Sequence, residues 1–132
     1  MDYIDIANKK VLNAFITSYL PPPEHWKYWI HPQTNEKYEV TLSTSTTLSD
    51  ADFESSFRLI EYTSAEDYRK SKDGWKPRSK KKEMRLLDLK YFLVKRERDN
   101  KFEGFLSFMP TYEDDCPVIY CYEIHLSSAL QG

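Results

Sequence analysis

Glu123 sits in the middle of Val118-Ile119-Tyr120-Cys121-Tyr122-Glu123-Ile124-His125-Leu126, a run that otherwise reads as a buried β-strand. A carboxylate in such a strand is costly unless it is paired or neutralised, so it is either a structural exception or a reacting group. With a period of two, Tyr120, Tyr122, Ile124 and Leu126 share one face, and Cys121, Glu123 and His125 share the other. A lone glutamate on a polar face is ordinarily solvated. Ringed by Cys and Tyr in a central strand, it would instead be buried with a raised pKa, as a general base requires.

Other residues offer weaker chemistry. The acidic run Glu113-Asp114-Asp115 lies on a loop before this strand, and a charged turn is normally just solvated. Its functional alternative is a receptor for a basic peptide, because a carboxylate takes a guanidinium through two parallel hydrogen bonds. Lys80-Lys81-Lys82 reads as an exposed face near a helix start. Tyr68 and Trp75 flank a helix end and serve either as core or as the mouth of a pocket. Gln131-Gly132 is either a loose terminus or the opening of an anion loop, where glycine lets backbone N–H groups approach a phosphate.

Cys116 and Cys121 follow no metal or redox spacing, and read as two reduced thiols. His25, His31 and His125 are scattered without a His-x-x-x-His pair, so no metal is expected. The formal charge of −2 exerts no global pull toward nucleic acid or membrane. No signal peptide and no apolar run of membrane-spanning length is present, which points to a cytoplasmic or nuclear protein. With 132 residues, ten Tyr and seven Phe against three Gly, the chain suits one packed, sheet-containing body.

The elements that must position these groups follow from periodicity. Ile4, Ala7, Val11, Phe15 and Tyr19 form one helical stripe over 3–20, ended by Pro21-Pro22-Pro23. Residues 25–35 read as an aromatic loop, and Tyr38, Val40 and Leu42 as a half-buried strand. Ser49 with Asp52 resembles a capping box that opens a helix, with a break expected near Tyr62-Thr63-Ser64. Pro77 starts a second helix reaching about Leu87. Residues 90–97 and 102–109 form an antiparallel hairpin, and 118–126 is the final strand. The layout is α+β, a mainly antiparallel sheet with two helices after its first strand and an extra N-terminal helix. Residues 1–35 make the helix and aromatic loop, and 36–132 the main domain.

The segment Tyr68-Arg69-Lys70-Ser71-Lys72-Asp73-Gly74-Trp75-Lys76, the Glu83-Met84 pair and Tyr120-Cys121-Tyr122-Glu123-Ile124-His125-Leu126 resemble the type D N-terminal acetyltransferases. These are enzymes of the GNAT fold that acetylate the α-amine of histones four and two-A. The resemblance covers roughly Tyr38 to Gly132. It implies the N-terminal portion of a GNAT domain, acetyl-CoA as cosubstrate, and histone tails beginning Ser-Gly-Arg-Gly as partners. By the same resemblance Glu123 is the general base, and Tyr68, Tyr122 and the stretch Thr111-Tyr112-Glu113 bind the tail, with Trp75 beside them. Ile124, His125 and Leu126 hold the acetyl-CoA arm, and Gln131 and Gly132 open the pyrophosphate loop. Asp73 stands where the family can carry Trp, and Thr111 where it can carry Asp, which leaves Glu113 as the main matched carboxylate for the substrate Arg.

The sequence breaks off inside that loop, so the 132-residue form is expected to transfer acetyl poorly alone, and to leave the apolar strand 118–126 unpaired on one side. The competing reading is a non-catalytic module that binds basic peptides through its acidic loop.

Overall fold

A computed structural model of the chain describes residues 2–71 and 74–130, apart from the side chains of Ala65, Glu66 and Tyr68. The sequence expectations for Asp73, Gln131, Gly132 and the Tyr68 side chain therefore lie outside the described residues.

Two short helices come first, α1 (Tyr3–Lys9) and α2 (Leu12–Tyr19), in place of the single helix expected. The chain is extended at Lys10 and Val11, which turns Val11 out to 73 % exposure while Ala7 and Phe15 both stay buried. Packing decides this break: the two anchors meet the same aromatic patch around Phe108. The Asp2 side chain caps α1 by accepting from the Asp5 amide, and α2 stops before the proline run as expected.

After a 3-10 turn at Pro23–His25, the presumed aromatic loop contains a three-residue strand, β1 (Tyr28–Ile30), paired with β2 (Lys37–Thr44). A strand that short leaves no period to read. Helix α3 (Asp50–Lys70) runs unbroken through Tyr62-Thr63-Ser64, with the Thr63 hydroxyl 2.9 Å from Leu59 O of its own helix, a contact that a helix accommodates without ending. The Asp52 amide donates to Ser49 Oγ at its start, as the capping pattern predicts. Helix α4 (Pro77–Met84) follows.

Three strands complete the sheet: β3 (Lys90–Arg96), β4 (Lys101–Glu113) and β5 (Cys116–Leu126). Neighbouring strands are antiparallel throughout, in the order β1-β2-β3-β4-β5. The expected α+β class with a mainly antiparallel sheet is what the structure has. Strand β4 does not end at Pro110 as expected but runs on through it to Glu113. The acidic loop shrinks to a two-residue turn, Asp114-Asp115, with φ of 49° and 65°. Both turn residues are left-handed, the geometry that joins twisted strands most tightly.

Helices cover both faces. Phe53, Phe57 and Ile60 of α3 and Met84 of α4 pack with Tyr91, Leu93 and Phe105 on one face. Ala7 and Phe15 pack with Leu42 and Phe108 on the other. Strand β5 is not the central, buried strand that its sequence suggests. It is an edge strand, as β1 is at the other end of the sheet, with Ile119, Tyr120, Tyr122 and Ile124 exposed, and no strand lies on its outer side among the described residues.

Gly104 sets how closely β5 approaches. A Cβ there would lie 2.9 Å from Leu126 Cδ2 and 3.0 Å from the His125 carbonyl oxygen. Gly104→Ala should therefore push the end of β5 outward and cost about 1–3 kcal/mol, measured by chemical denaturation. Unchanged stability would mean that β5 moves freely at this point.

Candidate active site

The site is built where β5 meets the α3–α4 layer, and a β-bulge aims its central residue. Ser107 pairs with Glu123 and Phe108 with Cys121, leaving Tyr122 as the extra residue on β5. The bulge breaks the alternation assumed from sequence. Glu123 and His125 oppose Ser107 and Phe105 on the α3–α4 face, whereas Cys121 opposes Phe108 and lines the apolar groove beneath α1 and α2. Cys121 thus does not share the face of Glu123.

The Glu123 side chain is 15 % exposed and is held by one oxygen. Its Oε1 lies 2.6 Å from Lys80 Nζ and 3.3 Å from His125 Nε2. Lys80 was expected on an exposed face, yet it is 7 % exposed and also lies 3.6 Å from Glu83. It is one helical turn before Met84, which is in the core, so both face inward. His125 is fixed from the other side, its Nδ1 lying 2.7 Å from Thr63 Oγ1.

Burial pushes the Glu123 carboxyl up. Hydrogen bonds from His125 and Lys80, together with their charges, outweigh that and hold it below the ordinary glutamate range. The raised pKa expected from the sequence is therefore corrected: the group is an anchored carboxylate, ionised at neutral pH. It can accept a proton without first losing one. Tyr91 lies behind it, its hydroxyl donating to Met84 O at 2.6 Å; burial first, then the Glu123 charge, pushes its phenol up.

The other sequence candidates divide by face. The β4 residues Thr111 and Glu113 lie at even spacing from Ser107, on the same side of the strand as the Glu123 partner. Tyr112 lies on the opposite side, and its hydroxyl donates to Asp2 Oδ1 at 2.6 Å. That bond occupies the Tyr112 phenol with the start of α1. Tyr120 and Tyr122 stand between the acidic turn and Glu123, their rings edge to face at 5.1 Å. From Ser107 to Glu113 the strand covers roughly 20 Å at about 3.3 Å per residue.

Trp75 stacks on Phe57 with ring centroids 5.8 Å apart and also lines a cleft of about 310 Å³ with Gly74, Ser79, Lys80 and Glu83. It serves both of the roles weighed for it, core and pocket wall. Ile124 and Leu126 extend β5 beyond Glu123 and pair with Leu106 and Gly104 of β4. Among the described residues no group of His, Cys, Asp and Glu is arranged to hold a metal ion, and no helix is long and apolar enough to cross a membrane.

Sequence reasoning missed Lys80 and Thr63. The i,i+4 relation of Lys80 to Met84 was a signal for the first. Thr63, three residues after the buried Ile60, was one for the second. No known family model matches this chain, and no curated protein matches it.

Proposed function

We propose that this chain carries the base and the peptide track of an N-terminal α-amine acetyltransferase of the GNAT type, acting on basic tails beginning Ser-Gly-Arg-Gly. The observation that carries this reading is the anchoring of Glu123. One oxygen is fixed by Lys80 and His125, and no contact within the described residues engages Oε2. A carboxylate held in that way is oriented to take a proton from an incoming amine.

The chemistry is direct transfer. An α-amine with pKa about 7.7–8.0 is largely protonated at neutral pH and must lose a proton before it attacks. Glu123 accepts that proton, the amine nitrogen bonds to the thioester carbonyl carbon, and the carbon–sulfur bond breaks as the nitrogen's second proton passes to the leaving sulfur, giving the amide and the thiol. Acetyl-CoA, the cosubstrate, supplies the thioester. The backbone of Ile124, His125 and Leu126 would hold its amide-bearing arm along the outer side of β5, which has no neighbouring strand among the described residues. The position of Cys121 on the opposite face supports transfer without an acetyl-cysteine intermediate.

The tail would run from Glu123 past Tyr122 and Tyr120 toward Thr111 and Glu113. A tail extended from its α-amine to the tip of a third-position Arg reaches roughly 14 Å, and the Glu113 side chain supplies most of the remaining span. Glu113→Gln should weaken binding of a Ser-Gly-Arg-Gly peptide about tenfold by calorimetry, and should leave a Ser-Gly-Gly-Gly peptide unaffected. Equal loss for both peptides would remove Glu113 as the Arg partner.

One observation favours the binding-module reading: the acidic turn is far enough from Glu123 to hold a basic peptide without any chemistry. Glu123→Gln separates the two. An enzyme loses transfer and keeps peptide binding; a module has no transfer to lose, with or without acetyl-CoA.

A further inference from the structure

We infer that His125 is a positioning residue that changes its charge in place, because the Thr63 hydroxyl can reverse its hydrogen bond to the ring. The imidazole is 11 % exposed and is held at both nitrogens, by Glu123 Oε1 at 3.3 Å and Thr63 Oγ1 at 2.7 Å. Thr63 has a second partner, the Leu59 carbonyl oxygen at 2.9 Å. Two arrangements satisfy every group. In the neutral ring, Nε2–H donates to Glu123 and the Thr63 hydroxyl donates to Nδ1. In the imidazolium, Nδ1–H donates to Thr63 Oγ1, and the hydroxyl turns to Leu59 O.

In both arrangements Nε2–H points at the carboxylate. The proton is gained and lost at Nδ1, on the side of the ring away from Glu123, so the carboxylate is never released. The charge beside it nonetheless changes by one unit when the ring gains or loses that proton. Among the described residues, the groups facing this pair are few. Strand β5 supplies Glu123, and α4 supplies Lys80 with Glu83 behind it. Helix α3 supplies the Thr63 and Ser64 hydroxyls. Strand β4 presents the Phe105 ring at 5.5 Å and Ser107 opposite Glu123, and β3 presents Tyr91. No second histidine is among them.

The catalytic consequence deepens, and rests on, the transferase reading. While His125 is charged, two cations hold Glu123 as a weak base. Once Nδ1 loses its proton, only Lys80 remains charged, and Glu123 accepts a proton from an amine more readily. Transfer would therefore rise through the His125 midpoint as pH increases, by a step separate from ionisation of the substrate amine.

The test is nitrogen-15 NMR of the imidazole in the 132-residue protein, with His125→Gln identifying its signals among the three histidines. The expected result is titration at Nδ1 with Nε2 protonated throughout, and a Glu123 carboxyl carbon shift at the same midpoint. Thr63→Val removes the acceptor needed by the charged ring and should lower the midpoint by about one pH unit, whereas Thr63→Ser should restore it. A neutral ring carrying its proton on Nδ1, or a midpoint indifferent to Thr63→Val, overturns the inference. None of these readouts depends on acetyl transfer. If no peptide is acetylated while the ring behaves as stated, the transferase reading fails and the switch stands. If transfer occurs but its pH step survives His125→Gln, the reading stands and the catalytic role of His125 fails.

Discussion

Glu123→Gln is expected to slow acetyl transfer to a Ser-Gly-Arg-Gly peptide by about 10²–10⁴-fold, the range contributed by a positioned general base. The measurement belongs in a form of the protein that turns over acetyl-CoA, with the peptide followed by mass. Gln is nearly isosteric with Glu, and its carbonyl oxygen can still accept from Lys80 and His125, which hold Oε1 at 2.6 Å and 3.3 Å. The loss should therefore fall on kcat rather than on peptide binding, which is assigned to residues farther along the track. The part of the pH profile set by the enzyme should flatten as well. Unchanged turnover across the pH range would remove Glu123 as the base.

The second large effect is on stability. Lys80→Met keeps the aliphatic stem in its buried position and removes the charge beside Glu123. Breaking a buried ion pair from one side costs about 3–5 kcal/mol when the remaining charge has no other partner. Glu123 keeps 15 % exposure and the bond from His125, so a loss of about 2–3 kcal/mol is expected at neutral pH, by urea denaturation. The difference should depend on pH in one direction. The folded-state pKa of Glu123 is lowered, so the stability it contributes is full above the unfolded glutamate value of about 4.3, and is lost as pH falls through the folded value below it. The gap between wild type and Lys80→Met should accordingly be widest near neutrality and close at strongly acid pH. A gap that persists undiminished in acid would assign the loss to packing rather than to the pair.

The sequence pattern carried much of this architecture because most elements have a clear local cause. Ser49 and Asp52 mark the start of α3, Pro77 the start of α4, and the alternation of Tyr38, Val40 and Leu42 the strand β2. What it could not carry depends on distant partners. Alternation in 118–126 does not distinguish a central strand from an outer one, since both faces are read from the same residues. The bulge at Tyr122 is a mismatch between β4 and β5, and neither strand shows it alone. It separates Cys121 from Glu123 and so removes the thiol from the carboxylate site. Lys80 illustrates the same limit for charge: in a Lys-Lys-Lys run, only the packing of Met84 one turn later selects which ammonium turns inward. Glu123 itself was legible as an anomalous charge. Its state was not, because the partners that lower its pKa come from α4 and from two residues along its own strand.

If Glu123 receives the proton of a peptide α-amine, carbon-13 NMR of its carboxyl group in the 132-residue protein should register the amine. Titration with Ser-Gly-Arg-Gly peptide should shift the Glu123 carboxyl signal, together with the backbone signals of Thr111 and Glu113. The same peptide with its α-amine already acetylated should still perturb Thr111 and Glu113 but leave the Glu123 carboxyl where it was. If the free and acetylated peptides move Glu123 alike, or neither moves it, Glu123 does not meet the amine and is not its base.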